Sequence, residues 1–179
     1  MIEITYFVHG TTTDNQEKKS TGWLPGELSE KGIQQSIALA DTIKDKYFDI
    51  VFCSDLKRAV ESAKLAFYNR DIEIIKDSRL RECNYGDLDG KDSSLVVYGE
   101  HIEEKFPNGE SLFDVEKRMR SFIDYLKQNY DNKKIALVCH RAPQLAFEVI
   151  TNGKTWEDAI ANDWRIEHKW QPGWTYFIK

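Results

Sequence analysis

Two histidines each follow a short apolar run with the composition of a buried β-strand. His9 comes after residues 6–8 and His140 comes after residues 135–139, so two of the four histidines stand where a strand is predicted to end. An imidazole can act as a nucleophile or as a general acid or base near neutral pH. A single histidine at a strand end is more often structural, but the pair points to a chemical site.

Four more residues with chemical functions stand at or shortly after predicted strand ends: Gly10, Arg58, Glu82 and Arg141. A glycine lets the backbone approach a ligand closely, and an arginine can bind a phosphate through two parallel hydrogen bonds. A carboxylic acid can protonate a leaving oxygen, and free N–H groups at nearby helix N-termini favour an anion. Each residue also has an ordinary structural explanation, so the prediction of a phosphate site depends on their combination.

A metal site is the competing explanation for the two histidines together with Cys139. The spacing of these three residues matches no zinc-binding pattern. A metal ion is therefore the less favoured explanation.

Predicted strands alternate with predicted helices along the chain. Apolar runs predict strands, at residues 2–8, 49–53, 72–75, 134–139 and 174–178. Helical spacing predicts helices capped by Ser29, Ser54 and Ser111, and a further helix over residues 145–150. This order is typical of an α/β fold with a mostly parallel sheet. Ligands of such sheets bind at the carboxyl ends of the strands, where the residues above fall.

The composition is that of a globular protein of one domain, and we expect a single domain over residues 1–179. Of the 179 residues, 41% are hydrophobic and 31% are charged. The net charge is −5, and no block of basic residues stands out along the chain. We therefore expect no nucleic-acid partner. No apolar run approaches the roughly 18 residues that span a membrane, and the N-terminus does not resemble a signal peptide. Three widely spaced cysteines fit a reducing cytoplasm. The sequence does not indicate an oligomeric state.

The segments around these residues resemble the histidine phosphatase, or phosphoglycerate mutase-like, superfamily. Residues 7–12 resemble its Arg-His-Gly signature, and matching blocks follow in the same order within residues 2–150, at residues 28–35, 53–63, 80–90, 109–118 and 138–140. The resemblance implies an α/β three-layer sandwich with a mostly parallel central sheet. It also implies a phosphatase whose partner is a small phosphorylated substrate, with no metal ion and no organic cofactor.

The resemblance also implies a role for each site residue. His9 would be the nucleophile that becomes phosphohistidine, and Glu82 would be the proton donor to the leaving group. Arg58 and His140 would hold the phosphoryl oxygens. The other residues of the implied substrate pocket are Gly10, Asn15 and Arg141.

The chain departs from the family pattern at two positions. Val8 stands where the family has an arginine before the nucleophile, and Arg141 stands where it has a small residue after the second histidine. Loss of one contact to a developing negative charge often costs about 10²–10³ in rate, which would weaken a phosphatase without abolishing it. Arg141 either supplies the missing charge, or it points to solvent or pairs with a carboxylate elsewhere.

Two functions remain open on the sequence. The first is a phosphatase for a small phosphorylated metabolite, rather than a mutase, because mutases of this family tend to carry longer inserts. The second is a non-catalytic phospho-ligand-binding or regulatory protein on the same fold. Val8 favours the binder, whereas the retained acid Glu82 favours the enzyme because a binder has no use for it.

Two parts of the chain have less specific predictions. Residues 91–110 are predicted to form part of a lid over the pocket. The tryptophans near the C-terminus are predicted to pack against the core rather than to stack on a ligand; they are Trp156, Trp164, Trp170 and Trp174. Neither His101 nor His168 has a predicted role.

Overall fold

The computed structural model describes residues 1–167 and 173–179. One sheet contains β1 (Ile2–Val8), β2 (Ile50–Cys53), β3 (Ile74–Lys76), β4 (Lys134–Cys139) and β5 (Trp174–Ile178), in the spatial order β3-β2-β4-β1-β5. Strands β1 to β4 are parallel, and β5 pairs antiparallel with β1. The predicted α/β fold with a mostly parallel sheet is confirmed.

Helices cover both faces of the sheet. They are α1 (Thr13–Gln16), α2 (Glu30–Thr42), α3 (Lys57–Ala66), α4 (Leu112–Asn129), α5 (Arg141–Asn152) and α6 (Trp156–Ala161). Successive side chains of a strand point to opposite faces. Tyr6 and Val8 accordingly join the apolar cluster under α4 and α5, while Phe7 joins the cluster under α2 and α3. The sandwich therefore has three layers, with apolar strands buried between two layers of helices.

The predicted helix caps are confirmed in two cases out of three. The Ser29 hydroxyl accepts the Gly32 N–H, and Ser111 forms a capping box with Asp114. The prediction for Ser54 is wrong, because α3 begins three residues later and Leu56 is its N-cap. The Ser54 hydroxyl instead accepts the Leu56 N–H and closes the turn that leads into the helix.

Several short elements differ from the predictions. A one-turn helix, α1, forms in a segment for which no helix is predicted, because Thr12 and Asn15 cap each other's backbone. The residues between β3 and α4 contain short 3₁₀ turns, at Ser78–Leu80, Gly86–Leu88, Ser93–Leu95 and Tyr98–Glu100. Over the ranges that the structure describes, no helix is long and apolar enough to cross a bilayer.

The tryptophans near the C-terminus pack largely as predicted. Trp156 is buried and donates its indole N–H to Glu116. Trp174 lies edge-on to Tyr6, and its ring centroid is 5.6 Å from that of Trp164. Trp170 and His168 lie outside the described residues.

Candidate active site

The register of the sheet brings the two histidines of the sequence analysis together. Val8 in β1 is the pairing partner of Cys139 in β4, so the chain leaves both strands at the same point of the sheet edge. The His9 N–H donates to the Cys139 carbonyl, which extends the pairing by one residue. The ring centroids of His9 and His140 lie 5.0 Å apart. The two imidazoles therefore meet, as the strand-end rule predicts.

The backbone fixes the tautomer of His9. Its Nδ1 lies 2.7 Å from the Gly10 carbonyl oxygen. Because a carbonyl only accepts hydrogen bonds, Nδ1 carries the proton and Nε2 keeps its lone pair. Burial, with a further contribution from the charge of Arg58, lowers the pKa of His9 to about 3. His9 is therefore a neutral imidazole at pH 7, with Nε2 able to act as a nucleophile.

His140 lies fully buried at the N-terminus of α5. The Tyr6 hydroxyl holds its backbone by donating to the His140 carbonyl over 2.7 Å. Burial and then the charge of Arg58 lower the pKa of His140 well below its ordinary value. Neither ring nitrogen of His140 has a hydrogen-bond partner among the described residues. Buried polar atoms are nearly always hydrogen-bonded in folded proteins, so this imidazole indicates a bound ligand.

Glu82 is fixed at the start of the same helix. Its carboxylate accepts the N–H groups of Arg141 (3.2 Å) and Ala142 (3.0 Å), which belong to the first turn of α5. Arg118 holds the loop that carries Glu82, because it donates to the Glu82 carbonyl and pairs with Glu110. The loop after β3 and the first turn of α5 thus hold this carboxyl group next to the residues that directly follow His140.

Arg58 has a structural role in addition to the predicted one. Its side chain is buried, and it donates to the carbonyls of Gly22 (2.7 Å) and Leu24 (3.0 Å). Its charge also acts on His9 and His140. Two of its five N–H groups are engaged by the loop, and its contact with phosphoryl oxygens stays a prediction.

The two remaining small or polar residues of the predicted pocket are also engaged locally. A Cβ on Gly10 would lie 2.3 Å from the Gly32 carbonyl oxygen, so this glycine lets two backbone segments meet. From the sequence alone, the predicted use of this glycine is a close approach of the backbone to a ligand. Asn15 accepts the Thr12 N–H through Oδ1. Only its Nδ2 remains for a ligand, and Asn15 does line the cavity described next.

A cavity of about 610 Å³ opens in front of His9. Its cationic lining residues are Lys18, Lys19, Lys31, Arg141 and Arg165, and its acidic ones are Glu82 and Asp163. Ser93 is the lining residue from the predicted lid, whereas residues 163–166 near the C-terminus also form part of the wall. Within the described residues, no group of three or more His, Cys, Asp or Glu side chains is arranged to hold a metal ion.

Arg141 pairs with a carboxylate, which is one of the two possibilities that the sequence leaves open. Its Nε donates to Asp163, which is buried, and its guanidinium carbon lies 4.0 Å from the centroid of the Tyr98 ring. Sequence reasoning missed Asp163 and Arg165. Neither residue follows a strand, so a search for polar residues at strand ends, which identified the other site residues, could not find them.

Known proteins resemble this chain in sequence and in fold. The sequence profile of the histidine phosphatase superfamily (branch 1) matches residues 6–153. Phosphoglycerate mutase 1 of Saccharomyces cerevisiae is 32% identical over 91% of this chain and 69% of its own length. Phosphoserine phosphatase 1 of Hydrogenobacter thermophilus is 27% identical over 82% of this chain and 74% of its own. The structure of a phosphoserine phosphatase mutant from Entamoeba histolytica, in complex with phosphoserine, superposes with a TM-score of 0.75. The two sequences are 25% identical, and the superposition covers 90% of this chain and 85% of the Entamoeba histolytica chain.

Proposed function

The chain belongs to the histidine phosphatase superfamily, and on that premise we propose that it hydrolyses a small phosphomonoester through a phosphohistidine at His9. One observation carries the proposal. A neutral imidazole whose Nδ1 is committed to the Gly10 carbonyl faces a buried imidazole without hydrogen-bond partners among the described residues. The His9 ring has a free lone pair with which it can attack as a nucleophile. The His140 ring has an N–H group that is free to donate a hydrogen bond to a phosphoryl oxygen.

The proposed reaction has two steps. Nε2 of His9 attacks phosphorus, the bond from phosphorus to the ester oxygen breaks, and the leaving oxygen takes a proton from Glu82. A water molecule then attacks the phosphohistidine and gives its proton to Glu82, which releases inorganic phosphate and restores His9. The neutral His140 and the buried Arg58 would stabilise the charge on the phosphoryl oxygens.

Turnover of two substrates tests the proposal. We expect hydrolysis of p-nitrophenyl phosphate and of alkyl phosphomonoesters such as phosphoserine, and a loss of at least about 10³ in kcat for His9→Ala. The matched control is His101→Ala, because His101 stacks on Phe106 and does not line the cavity. Retained turnover in His9→Ala would rule out His9 as the nucleophile.

Glu82 is tested by its dependence on the leaving group. Because p-nitrophenolate leaves without a proton, Glu82→Gln should slow hydrolysis of phosphoserine far more than hydrolysis of the aryl ester. Equal losses on the two substrates would argue against Glu82 as the proton donor.

A phospho-ligand-binding protein without activity is the second candidate, and Val8 is the observation that favours it. For such a protein we expect no turnover of any ester tested. Calorimetry should show binding of inorganic phosphate by the wild type, and this binding should be lost in His140→Ala.

A further inference from the structure

We propose that Arg165 supplies to the phosphoryl group the positive charge that Val8 does not, and that Asp163 and Arg141 hold it in place. This inference rests on the proposed function, because it assigns a further oxygen ligand to the same site. It differs from the hypothesis in which Arg141 itself replaces the missing arginine.

The position of Arg165 is the first support. Val8, His9 and Arg165 line the same cavity, so the cation shares it with both the nucleophile and the residue that replaces the family's arginine. The charge of Arg165 also acts on His9, where it contributes to the lowered pKa of the imidazole. The Arg165 side chain is exposed to the cavity and the solvent rather than packed in the core.

A buried carboxylate anchors Arg165 from its backbone. One oxygen of Asp163 accepts the Arg165 N–H at 2.9 Å, and the other accepts Nε of Arg141. Asp163 is only 3% exposed, and hydrogen bonds to a buried charge are stronger than those at a surface. Arg141 directly follows His140, so the anchor connects the imidazole pocket to the segment that carries Arg165.

A second contact holds the same segment against the sheet. Trp164 packs against Trp174, and Trp174 pairs with Tyr6 in β1, two residues before Val8. The segment with Arg165 is thus attached both to the strand that ends at the nucleophile and to the helix that begins after His140.

The difference between Arg141 and Arg165 lies in their ion pairs. Arg141 is neutralised by Asp163 and covered by the Tyr98 ring, so its charge is largely compensated before a substrate arrives. Among the side chains that the structure describes, those of residues 1–166 and 173–179, no carboxylate forms a salt bridge with Arg165. Of these two arginines, Arg165 is therefore the one whose charge remains for an anionic ligand.

The test compares the affinity for inorganic phosphate and the turnover of p-nitrophenyl phosphate in matched variants. We expect Arg165→Gln to lower kcat/KM by about 10²–10³ and to weaken phosphate binding by about tenfold or more. The control is Arg120→Gln, which removes the same charge from an exposed site on α4 where the arginine pairs with Glu116. Its kinetics and phosphate affinity should match those of the wild type.

Moving the charge separates a ligand from a structural role. In Val8→Arg/Arg165→Gln an arginine returns to the position that the family uses, and we expect kcat/KM to recover at least tenfold relative to Arg165→Gln. A purely structural role for Arg165 would not be rescued from position 8. Because Val8 is buried, the double variant is used only if its thermal unfolding is cooperative; otherwise phosphate affinity of Arg165→Gln decides.

The phosphate measurement keeps the two proposals apart. Turnover absent in the wild type would reject the phosphatase, while weaker phosphate binding by Arg165→Gln would still support Arg165 as the ligand. Phosphate affinity of Arg165→Gln within twofold of the wild type would overturn the assignment of Arg165, whatever the activity.

Discussion

At the scale of single residues, the site depends on two imidazoles that stay neutral. Both are taken out of water beside a buried arginine, and each of these factors penalises the imidazolium form. A protonated His9 would have no lone pair for phosphorus. Burial of the pair therefore keeps His9, the proposed nucleophile, unprotonated at neutral pH, and in the proposed reaction His140 would donate one N–H to a phosphoryl oxygen.

The neutral histidines make folding stability depend on pH. The pKa of His9 falls from 6.5 to about 3 on folding, so below pH 6.5 the unfolded chain binds a proton that the folded chain excludes. The free energy of unfolding should thus fall as the pH falls below 6.5, by about 1.4 kcal/mol per pH unit for each such histidine. Urea unfolding at a series of pH values between about 6 and 5 measures this slope.

Single substitutions identify the source of that slope. His9→Gln and His140→Gln should each reduce it by about 1.4 kcal/mol per pH unit, because each removes one excluded proton. His101→Gln, which changes an imidazole outside the cavity, serves as the control. An unchanged slope in both site variants would mean that these imidazoles are protonated in the folded protein.

At the scale of elements, the loop after β1 is held against the start of α2 by two glycines. A Cβ on Gly10 would meet the Gly32 carbonyl at 2.3 Å, and a Cβ on Gly32 would meet the Thr11 carbonyl at 2.0 Å. Ser62 and Gln35 accept the N–H groups of Gly10 and Thr11, which adds α3 and α2 to the contact. The position of His9 thus depends on a close approach of backbone to backbone.

Gly10→Ala should be costly for that reason. Backbone atoms cannot give way as a flexible side chain can, so we expect a loss of about 1–3 kcal/mol in the free energy of unfolding. Gly99→Ala is the matched control, since a Cβ there meets nothing within 4 Å, and it should change stability by less than about 0.5 kcal/mol. Chemical denaturation measures both variants, and equal stabilities would contradict the tight approach.

At the scale of the whole molecule, the cavity collects cations from distant parts of the chain. Lys18 follows α1, Lys31 lies in the first turn of α2, and Arg165 comes from the segment after α6. Each of these cations alone would contribute little to binding, because it lies near solvent and salt screens its charge. We therefore expect the protein to prefer a substrate that carries an anionic group besides its phosphate.

A matched pair of substrates tests this preference. Phosphoserine has a carboxylate that phosphoethanolamine lacks, and we expect a lower KM for phosphoserine. In Lys18→Ala/Lys31→Ala the KM for phosphoserine should rise by about fivefold or more, with a smaller change for phosphoethanolamine. Lys127→Ala, an exposed lysine on α4, provides the control for net charge. Equal KM values for the two esters in the wild type would exclude such a second anionic contact.

Much of the fold follows from local patterns along the chain. The apolar runs predict the five strands of the part of the chain that the structure describes, and the Ser29 and Ser111 caps mark helix starts correctly. The prediction fails for elements too short to show a hydrophobic period, such as α1. The single turn of α1 depends on reciprocal capping by Thr12 and Asn15. The 3₁₀ turns between β3 and α4 escape for the same reason.

The sequence by itself determined which residues come to the site through the sheet. His9 and His140 follow apolar strands, and parallel strands bring their carboxyl ends to one edge, so this convergence needs no side-chain directions. Only the tertiary structure decided what the arginines do. Arg141 turns to Asp163, and Arg165 enters the wall of the cavity from a segment that follows no strand. Spacing along a chain encodes the geometry of its regular elements, but ion pairs between distant segments depend on how those elements pack.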